Sequence, residues 1–185
     1  MSIRVSIDAS GGDFGFSVTI NAGISALKTY DDLLINFVGD EAGIKNELNK
    51  NSSYSNFADR IDVTHASEVI NMSDSPSVAL RHKKDSSMRI AINLVKNGDA
   101  DACVSAGNTG ALMSIARFVL KTIKGVDRPA IMSAVPTLTG PTHVLDLGAN
   151  IDSRPSTLLQ FAIMGSIAVQ NTENIENPSV GLLNV

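Results

Sequence analysis

The order in which apolar patterns follow one another is the feature that most restricts the fold of this chain. Short, β-rich apolar runs alternate with segments of helical spacing along all 185 residues. Residues 3–9 alternate with period two, and residues 33–38 are almost continuously apolar. Alternating strands and helices favour parallel pairing through crossover helices, and continuously apolar strands are typical of a sheet covered on both faces. We therefore predict an α/β fold with three αβα layers around a mostly parallel, Rossmann-like sheet.

The same patterns give the individual elements. Strands are predicted over 3–9, 33–38, 60–64, 102–105, 130–135, 143–147 and 180–185. Helices are predicted over 16–28, 40–49, 87–96, 109–121 and 156–170, and another is predicted to begin near Pro76 after a cap at Asp74 or Ser75. We see no domain boundary, so residues 1–185 are expected to form a single α/β unit. Since the last predicted strand has no polar tail after it, this unit is expected to be the N-terminal part of a longer catalytic domain.

Composition and charge exclude several classes of protein. The formal net charge is −4, so no strongly basic field marks the whole chain as a binder of nucleic acid. Cys103 is the only cysteine, which excludes a disulfide framework, and the three histidines form no HExxH motif, so no metal site is predicted. The N-terminus lacks the apolar core of a signal peptide, and the apolar stretch 158–169 is too short to span a bilayer. A cytoplasmic protein is expected.

Three segments that follow predicted strands combine glycines or other small residues with hydrogen-bonding side chains. They are Asp8-Ala-Ser-Gly-Gly-Asp13, the run 105–111, and Asp146-Leu-Gly-Ala-Asn150. Ligands of open parallel sheets bind beyond the carboxyl ends of the strands. We therefore expect the three segments to lie on one rim of the sheet, although an aspartate at a strand end is most often a residue that caps a loop.

The segment Ser105-Ala-Gly-Asn-Thr-Gly-Ala111 carries the sharpest signal. Gly107 and Gly110 allow a tight turn and a close approach of the backbone to a ligand. The helix predicted to follow offers unpaired N–H groups and a positive dipole end, which favour an anion. An ordinary strand-to-helix turn capped by Asn108 explains the same residues equally well. The spacing matches neither the dinucleotide fingerprint nor the phosphate-loop motif, so no nucleotide is indicated.

A second candidate region is the run 81–89, which contains Arg81, Lys83 and Lys84. Asp85-Ser-Ser87 is unfavourable inside a helix because these side chains compete for backbone hydrogen bonds. A break there would start a new helix near Ser87 and bring the cations close to its N-terminus, where phosphate or an acidic partner could bind. The alternative is a solvated charged face on one long helix.

Several longer motifs, taken together and in order, resemble the PlsX family, the phosphate acyltransferases of bacterial phospholipid synthesis. They are Asp8-Ala-Ser-Gly-Gly-Asp13, Arg81 with Lys83-Lys-Asp-Ser-Ser-Met88, Ser105-Ala-Gly-Asn-Thr-Gly-Ala-Leu-Met113, Arg128-Pro-Ala130, Leu145-Asp-Leu-Gly-Ala-Asn150, Gln160-Phe-Ala-Ile-Met-Gly165 and Gly181-Leu-Leu-Asn184. Ser10 departs from the family pattern, which usually has methionine there. The resemblance covers roughly the N-terminal half of the family.

The resemblance implies a reaction and its partners. In this family inorganic phosphate attacks the thioester of a long-chain acyl group on acyl carrier protein, which gives acyl phosphate and free carrier protein. A membrane-bound glycerol-3-phosphate acyltransferase then uses the acyl phosphate. Family members are homodimers that associate peripherally with the membrane and need no redox cofactor or catalytic metal. The carrier protein is acidic, so its docking surface is expected to be basic.

For this reaction, strand-end position and residue type give hypotheses for the roles of individual site residues. The expected catalytic set is Asn108, Asp146, Asn150 and Lys84. The start of the helix at Asn108 is expected to hold phosphate, whereas Asp146 and Asn150 orient the substrate or a water. The expected substrate-binding residues are Ser105, Gly107, Thr109, Gly110, Arg81, Ser86, Ser87, Asp8, Gly11, Gly12 and Asp13, among which Asp8 and Asp13 brace the first glycine-rich loop.

Other functions remain as alternatives. A coenzyme A-linked phosphate acyltransferase uses similar chemistry, although the motif order speaks against it. A non-enzymatic domain that binds phosphate or an acyl chain would share the fold without turnover. A nicotinamide-dependent dehydrogenase is the least favoured, because the required glycine spacing is absent.

Overall fold

The computed structural model describes residues 2–138, 140–150 and 154–183. Its internal contacts divide the chain into two compact units, Met1–Lys121 and Thr122–Val185. Each unit is described separately below. The expectation that residues 1–185 form a single α/β unit stays a prediction.

The first unit is built around a four-stranded parallel sheet. The strands are β1 (Ile3–Asp8), β2 (Leu33–Gly39), β3 (Ile61–His65) and β4 (Ala102–Ser105), in the spatial order β3-β2-β1-β4. The helices are α1 (Phe16–Thr29), α2 (Glu41–Lys50), α3 (Pro76–His82), α4 (Ser87–Asn97) and α5 (Thr109–Leu120), with two short 3-10 turns at Tyr54–Asn56 and Ala58–Arg60. The predicted α/β class with a parallel sheet between helices is confirmed.

Apolar side chains anchor helices to both faces of this sheet. On one face Ile24 of α1 packs in a buried cluster with Phe37 of β2, and Gly23 allows the close approach because a Cβ there would lie 2.5 Å from the Phe37 ring. On the other face the Ser6 hydroxyl donates to the carbonyl oxygen of Ala91 in α4 at 2.9 Å. A second buried cluster joins α4 to α5. The strand ends are thereby held rigidly under the loops that follow them.

Local capping chemistry determines where the helices of the first unit begin. The Ser75 hydroxyl caps α3, and the Ser86 hydroxyl caps α4 by accepting the N–H of Arg89 at 3.4 Å. The predicted break before Ser87 is confirmed, and the alternative of one long helix is wrong. This break matters for the site because it places the start of α4 after a turn at residues 83–85.

The second unit contains strands β5 (Met132–Thr137) and β6 (Gly140–Leu145) and helix α6 (Pro155–Glu173). The two strands pair antiparallel in a sheet of their own. Only two residues connect them, and a parallel crossover needs a dozen or more, so their pairing is dictated by the short connection. Both strands were expected in the parallel sheet, and that expectation is wrong.

The final predicted strand, over 180–185, is also wrong where it can be checked. Residues 180–183 form no strand, and Leu182 and Leu183 are exposed. An apolar run becomes a strand only when a neighbouring strand accepts its hydrogen bonds, and none does so here among the described residues. Residues 184 and 185 lie outside the described residues.

No helix in the described ranges is long and apolar enough to cross a membrane.

Candidate anion site at the start of helix α5

The carboxyl ends of β1 and β4 bring Asp8 and Ser105 together as direct neighbours in the sheet. The Ser105 hydroxyl donates a hydrogen bond to Oδ2 of Asp8 at 2.6 Å. The same hydroxyl oxygen accepts the backbone N–H of Gly107 at 3.1 Å. Since Asp8 is only 1% exposed, this pair forms a buried polar link beneath the turn that leads into α5.

Glycines allow the two loops above this pair to touch. A Cβ on Gly11 would lie 2.5 Å from Oδ2 of Asp8 and 3.1 Å from the backbone nitrogen of Gly107. Gly12 has φ of +85°, and a Cβ there would lie 3.1 Å from the carbonyl oxygen of Ala106. The contact at Gly11 is closer than a Cβ atom tolerates, and the positive φ of Gly12 is a conformation that favours glycine. The structure thus brings Asp8, Gly11, Gly12, Ser105 and Gly107 together, and their contact with a ligand stays a prediction.

One oxygen of Asp8 has no hydrogen-bond partner. Oδ1 is fully buried, and no donor reaches it among the described residues. No lysine, arginine or histidine of the described ranges forms an ion pair with this carboxyl group either. Buried polar atoms are nearly always paired, so an orphaned carboxylate oxygen indicates a functional position or an additional ligand.

Asn108 uses its whole side chain inside the protein. Its Oδ1 caps α5 by accepting the N–H of Ala111 at 3.0 Å. Its Nδ2 donates to the carbonyl oxygens of Asn71, Met72 and Asp74 at 3.3, 3.0 and 2.8 Å. The capping role is therefore confirmed, and the same side chain also holds the 71–74 loop. Sequence reasoning missed this contact, and a direct catalytic role for Asn108 stays a prediction.

The first turn of α5 leaves donors available for a ligand. The N–H groups of Thr109 and Gly110 have no acceptor among the described residues. The next two N–H groups do have one, since Oδ1 of Asn108 accepts from Ala111 and the backbone oxygen of Asn108 accepts from Leu112. A Cβ on Gly110 would lie 2.9 Å from Cγ of Pro76, so glycine is needed where α3 meets α5. Free N–H groups at the positive end of a helix dipole favour an anion.

The second predicted donor set is divided between buried and exposed groups. The buried Ser86 hydroxyl donates to the carbonyl oxygen of Lys83 at 2.7 Å, so its hydrogen serves the fold. Ser87 is also buried, and its N–H donates to the carbonyl oxygen of Glu68 at 3.1 Å. Arg81 and Lys84 are exposed. Their contact with a substrate stays a prediction, as does that of the exposed Asp13.

In the second unit, Asp146 is saturated with hydrogen bonds. Its Oδ1 accepts the N–H groups of Ile131 and Ala149 at 3.0 and 3.2 Å, and its Oδ2 accepts the backbone and side-chain N–H groups of Asn150 at 2.7 and 3.0 Å. Burial is the largest single influence and acts to raise the pKa of Asp146. The hydrogen bonds from Ile131, Asn150 and Ala149 together outweigh it and hold the pKa below its usual value.

Asp146 and Asn150 therefore brace a loop. The Asn150 side chain also donates to the carbonyl oxygen of Pro129 at 3.1 Å. This bond joins the segment before β5 to the segment after β6. The expectation that Asp146 shares a rim with Asp8 rested on a parallel strand before it. That premise is wrong because β6 is antiparallel to β5. Orientation of a substrate by Asp146 or Asn150 stays a prediction.

The described residues contain no cluster of three or more histidine, cysteine or acidic side chains that could hold a metal ion. Burial raises the pKa of the Cys103 thiol to about 11, so Cys103 is not a thiolate nucleophile. The chemistry available near α5 is thus that of backbone donors, a hydroxyl group and a buried carboxyl group.

Residues 3–185 match the family model described as "Fatty acid synthesis protein". The chain belongs to this family. The match confirms the resemblance to the PlsX phosphate acyltransferases that the sequence motifs indicate.

Individual relatives agree with the family. The chain is 64% identical over its whole length to a protein named "Phosphate acyltransferase" from Ruthia magnifica subsp. Calyptogena magnifica. It is 56% identical over 98% of its length to a protein of the same name from Methylococcus capsulatus, and 54% identical over its whole length to one from Legionella pneumophila strain Paris. The alignments cover 54, 53 and 53% of these relatives, so the chain spans about half their length.

In this family member two of the motif segments of the first unit meet at one place. The glycine-rich segment after β1 contacts the segment after β4, and the latter is tied through Asn108 to the 71–74 loop. The 71–74 loop is the third part of the site. Its only signal in the sequence was a polar stretch without periodicity, from Asn71 to Pro76. Its backbone carbonyl oxygens, and not its side chains, make the contact with Asn108, which a sequence pattern does not reveal.

Proposed function

We propose that this chain carries the phosphate-binding part of an acyltransferase that moves a long-chain acyl group from acyl carrier protein to inorganic phosphate. Membership of the fatty acid synthesis protein family, with relatives named phosphate acyltransferase, is the observation that carries the proposal. The free N–H groups at the start of α5 support it with a site of suitable chemistry.

Phosphate binds at the N-terminus of α5 in this proposal. The N–H groups of Thr109 and Gly110 donate to its oxygens, and the hydroxyl of Ser105 lies at the end of the strand that feeds this turn. Arg81 and Lys84 supply exposed positive charge that attracts the anion. Asn108 positions these groups by capping the helix and fixing the 71–74 loop.

The reaction needs positioning more than activation. An oxygen of phosphate attacks the thioester carbonyl carbon, the C–O bond forms, and the C–S bond breaks to release the carrier thiol with a proton. Holding phosphate in line with the thioester makes this attack effectively intramolecular, which supplies a large part of the rate. Lys84 is the candidate donor for the negative charge that develops on the carbonyl oxygen.

The partners follow from the same proposal. The acidic carrier protein docks on exposed cations, the acting species is a homodimer, and acyl phosphate passes to a membrane-bound glycerol-3-phosphate acyltransferase. The protein then works in the cytoplasm with peripheral contact to the membrane. Docking that depends on surface cations weakens at high ionic strength, which provides a separate test of that step.

The test is phosphate-dependent release of free carrier protein from a long-chain acyl thioester by this chain. In active protein, Ser105→Ala raises the KM for phosphate at least several-fold, whereas the matched control Ser25→Ala, on the exposed face of α1, does not. Release from coenzyme A thioesters but not from carrier protein would favour the coenzyme A-linked alternative. Phosphate binding without release of either thiol would favour a binding domain.

A further inference from the structure

The Asp8 carboxyl group carries an unresolved charge problem. It is buried, one of its oxygens lacks a partner among the described residues, and the proposed anion site begins at Thr109, four residues beyond its neighbour Ser105. An ionised carboxylate in such a place is costly by itself, and it also repels an anion bound nearby. Either effect is removed when Asp8 takes up a proton.

The helices packed against β1 provide no compensating cation at this end of the strand. In α1 the only charged residue is Lys28, which lies in the last turn, away from the loop after β1. In α4 the charged residues are Arg89 and Lys96. The guanidinium group of Arg89 lies over the Phe118 ring at 5.3 Å, and Lys96 is in the last turn.

The neighbouring strands are equally unable to neutralise Asp8. No residue of β2 is charged, and the only titratable group of β4 is the Cys103 thiol, whose pKa of about 11 keeps it neutral near pH 7. The loop after β1 adds a second carboxylate at Asp13, which is exposed. Among the described residues, no side chain of these elements supplies a positive charge to Asp8, and its one hydrogen bond comes from the hydroxyl of Ser105.

The hydrogen bond between Asp8 and Ser105 can run in either direction. At 2.6 Å it has the length of a charge-assisted O–H···O⁻ bond, in which Ser105 donates to the ionised carboxylate. In that arrangement the only hydrogen of the hydroxyl points at Asp8 and is not available to a ligand. When Asp8 is protonated, the carboxyl group donates to Ser105, and the Ser105 hydrogen turns towards the start of α5.

We propose that binding of a tetrahedral oxyanion at the N-terminus of α5 is coupled to the uptake of one proton by Asp8, with Ser105 as the link between them. The inference rests on the proposed phosphate site and deepens it. The proton removes the repulsion and frees the Ser105 hydroxyl as a further donor to the anion. Asp8 is a positioning residue here, since it acts through Ser105 and does not touch the ligand.

The coupling predicts how anion affinity depends on pH. Because binding takes up a proton, affinity rises as the pH falls, by at most about tenfold for each pH unit. Sulfate is the suitable probe because it carries the same tetrahedral oxygens as phosphate and does not change its own protonation near neutral pH. Phosphate does change its protonation there, which would obscure the effect.

The experiment is calorimetric titration of this chain with sulfate at about pH 7.5 and about pH 5.5, each in two buffers of different ionisation enthalpy. The wild-type chain is expected to bind more tightly at the lower pH and to take up close to one proton. Asp8→Asn, which is neutral and nearly isosteric, is expected to bind with similar affinity at both pH values and to take up none. Asp31→Asn removes the same charge from an exposed position just before β2, at the opposite end of the sheet, and is expected to match the wild type.

The inference is overturned by sulfate binding of the wild type without proton uptake, by an unchanged proton count in Asp8→Asn, or by no sulfate binding at either pH. The wild-type proton count stands even when Asp8→Asn does not fold. His65→Gln and His82→Gln test whether a histidine takes up the proton instead of Asp8. Loss of proton uptake in either variant would also overturn the inference. Proton-coupled sulfate binding by a chain of the relatives' full length that transfers no acyl group would instead reject the proposed function and leave the coupling intact.

Discussion

Asp8 is the last residue of β1 and Asp146 directly follows β6, and the surroundings of these two aspartates differ sharply. Asp146 accepts four hydrogen bonds, so every part of its carboxylate serves the loop around it. Asp8 accepts one, from Ser105, and its buried Oδ1 has no partner within the part of the chain that the structure describes. A saturated carboxylate stabilises its loop through each of these bonds. A carboxylate with an unpaired buried oxygen keeps the free-energy cost of losing its contact with water, and a proton or a ligand can remove that cost.

The largest effect is expected at Asn108, whose side chain is saturated with hydrogen bonds like that of Asp146 but lies in the α5 region. Asn108→Ala removes the helix cap and the donor to three carbonyl oxygens, so we expect a loss of about 3 kcal/mol in the free energy of unfolding. Phosphate use in the acyl-transfer assay should fall strongly as well. Chemical denaturation followed by circular dichroism measures the stability.

Asn108→Ser is the matched control, because serine keeps the cap but cannot reach the carbonyl oxygens. It should recover about 1 kcal/mol of the loss. Equal stability of the alanine and serine variants would contradict the role assigned to the cap, and a wild-type-like alanine variant would contradict both roles.

Asp146→Asn tests the saturated member of the pair. An asparagine side chain offers one acceptor oxygen and places an NH₂ group against backbone N–H donors, so about 2 kcal/mol of stability should be lost. Sulfate affinity of the folded variant should not change. A variant of normal stability with weakened sulfate binding would reverse the assignment of the two aspartates.

Gly11→Ala tests the surroundings of Asp8 through a change in the loop that follows β1. The added methyl group would lie 2.5 Å from Oδ2 of Asp8, so the loop must shift, at a cost of about 1–2 kcal/mol. Gly181→Ala is the control, since nothing lies within 4 Å of its added Cβ. Thermal unfolding compares the two, and equal melting temperatures would contradict the close packing of Gly11 against Asp8 and Gly107.

The smallest expected effect is the dependence of stability on pH. The folded-state pKa of Asp146 lies below its usual value, so its ionised form stabilises the fold above the unfolded pKa. That contribution is lost as the pH falls through the folded pKa, below about pH 4. The stability difference between wild type and Asp146→Asn should therefore shrink on acidification. A difference that stays constant down to about pH 3 would contradict the hydrogen-bond account.

Local chemistry in the sequence was sufficient to predict much of the first unit. The starts of α3, α4 and α5 follow from Ser75, Ser86 and Asn108, because a cap depends only on residues within one helical turn. The four parallel strands follow from apolar runs separated by helices. The meeting of the segments after β1 and β4 follows from the rule that parallel strands end on one edge.

What the sequence did not predict depends on partners that are distant along the chain. The β5–β6 ribbon and residues 180–183 have apolar patterns typical of strands, but pattern alone does not specify the partner strand. Asn108 reaches carbonyl oxygens 34 to 37 residues away, which residue identity does not encode. The difference between Asp8 and Asp146 likewise lies in donors that only the folded backbone supplies.

The most direct test of the account is a phosphate titration of the isotopically labelled chain followed by amide NMR shifts. Binding at the start of α5 predicts that the N–H signals of Thr109 and Gly110 move together and saturate, while those of Ala149 and Asn150 stay in place. Saturating shifts confined to Ala149 and Asn150, or no shifts at Thr109 and Gly110, would contradict the assignment of the phosphate site.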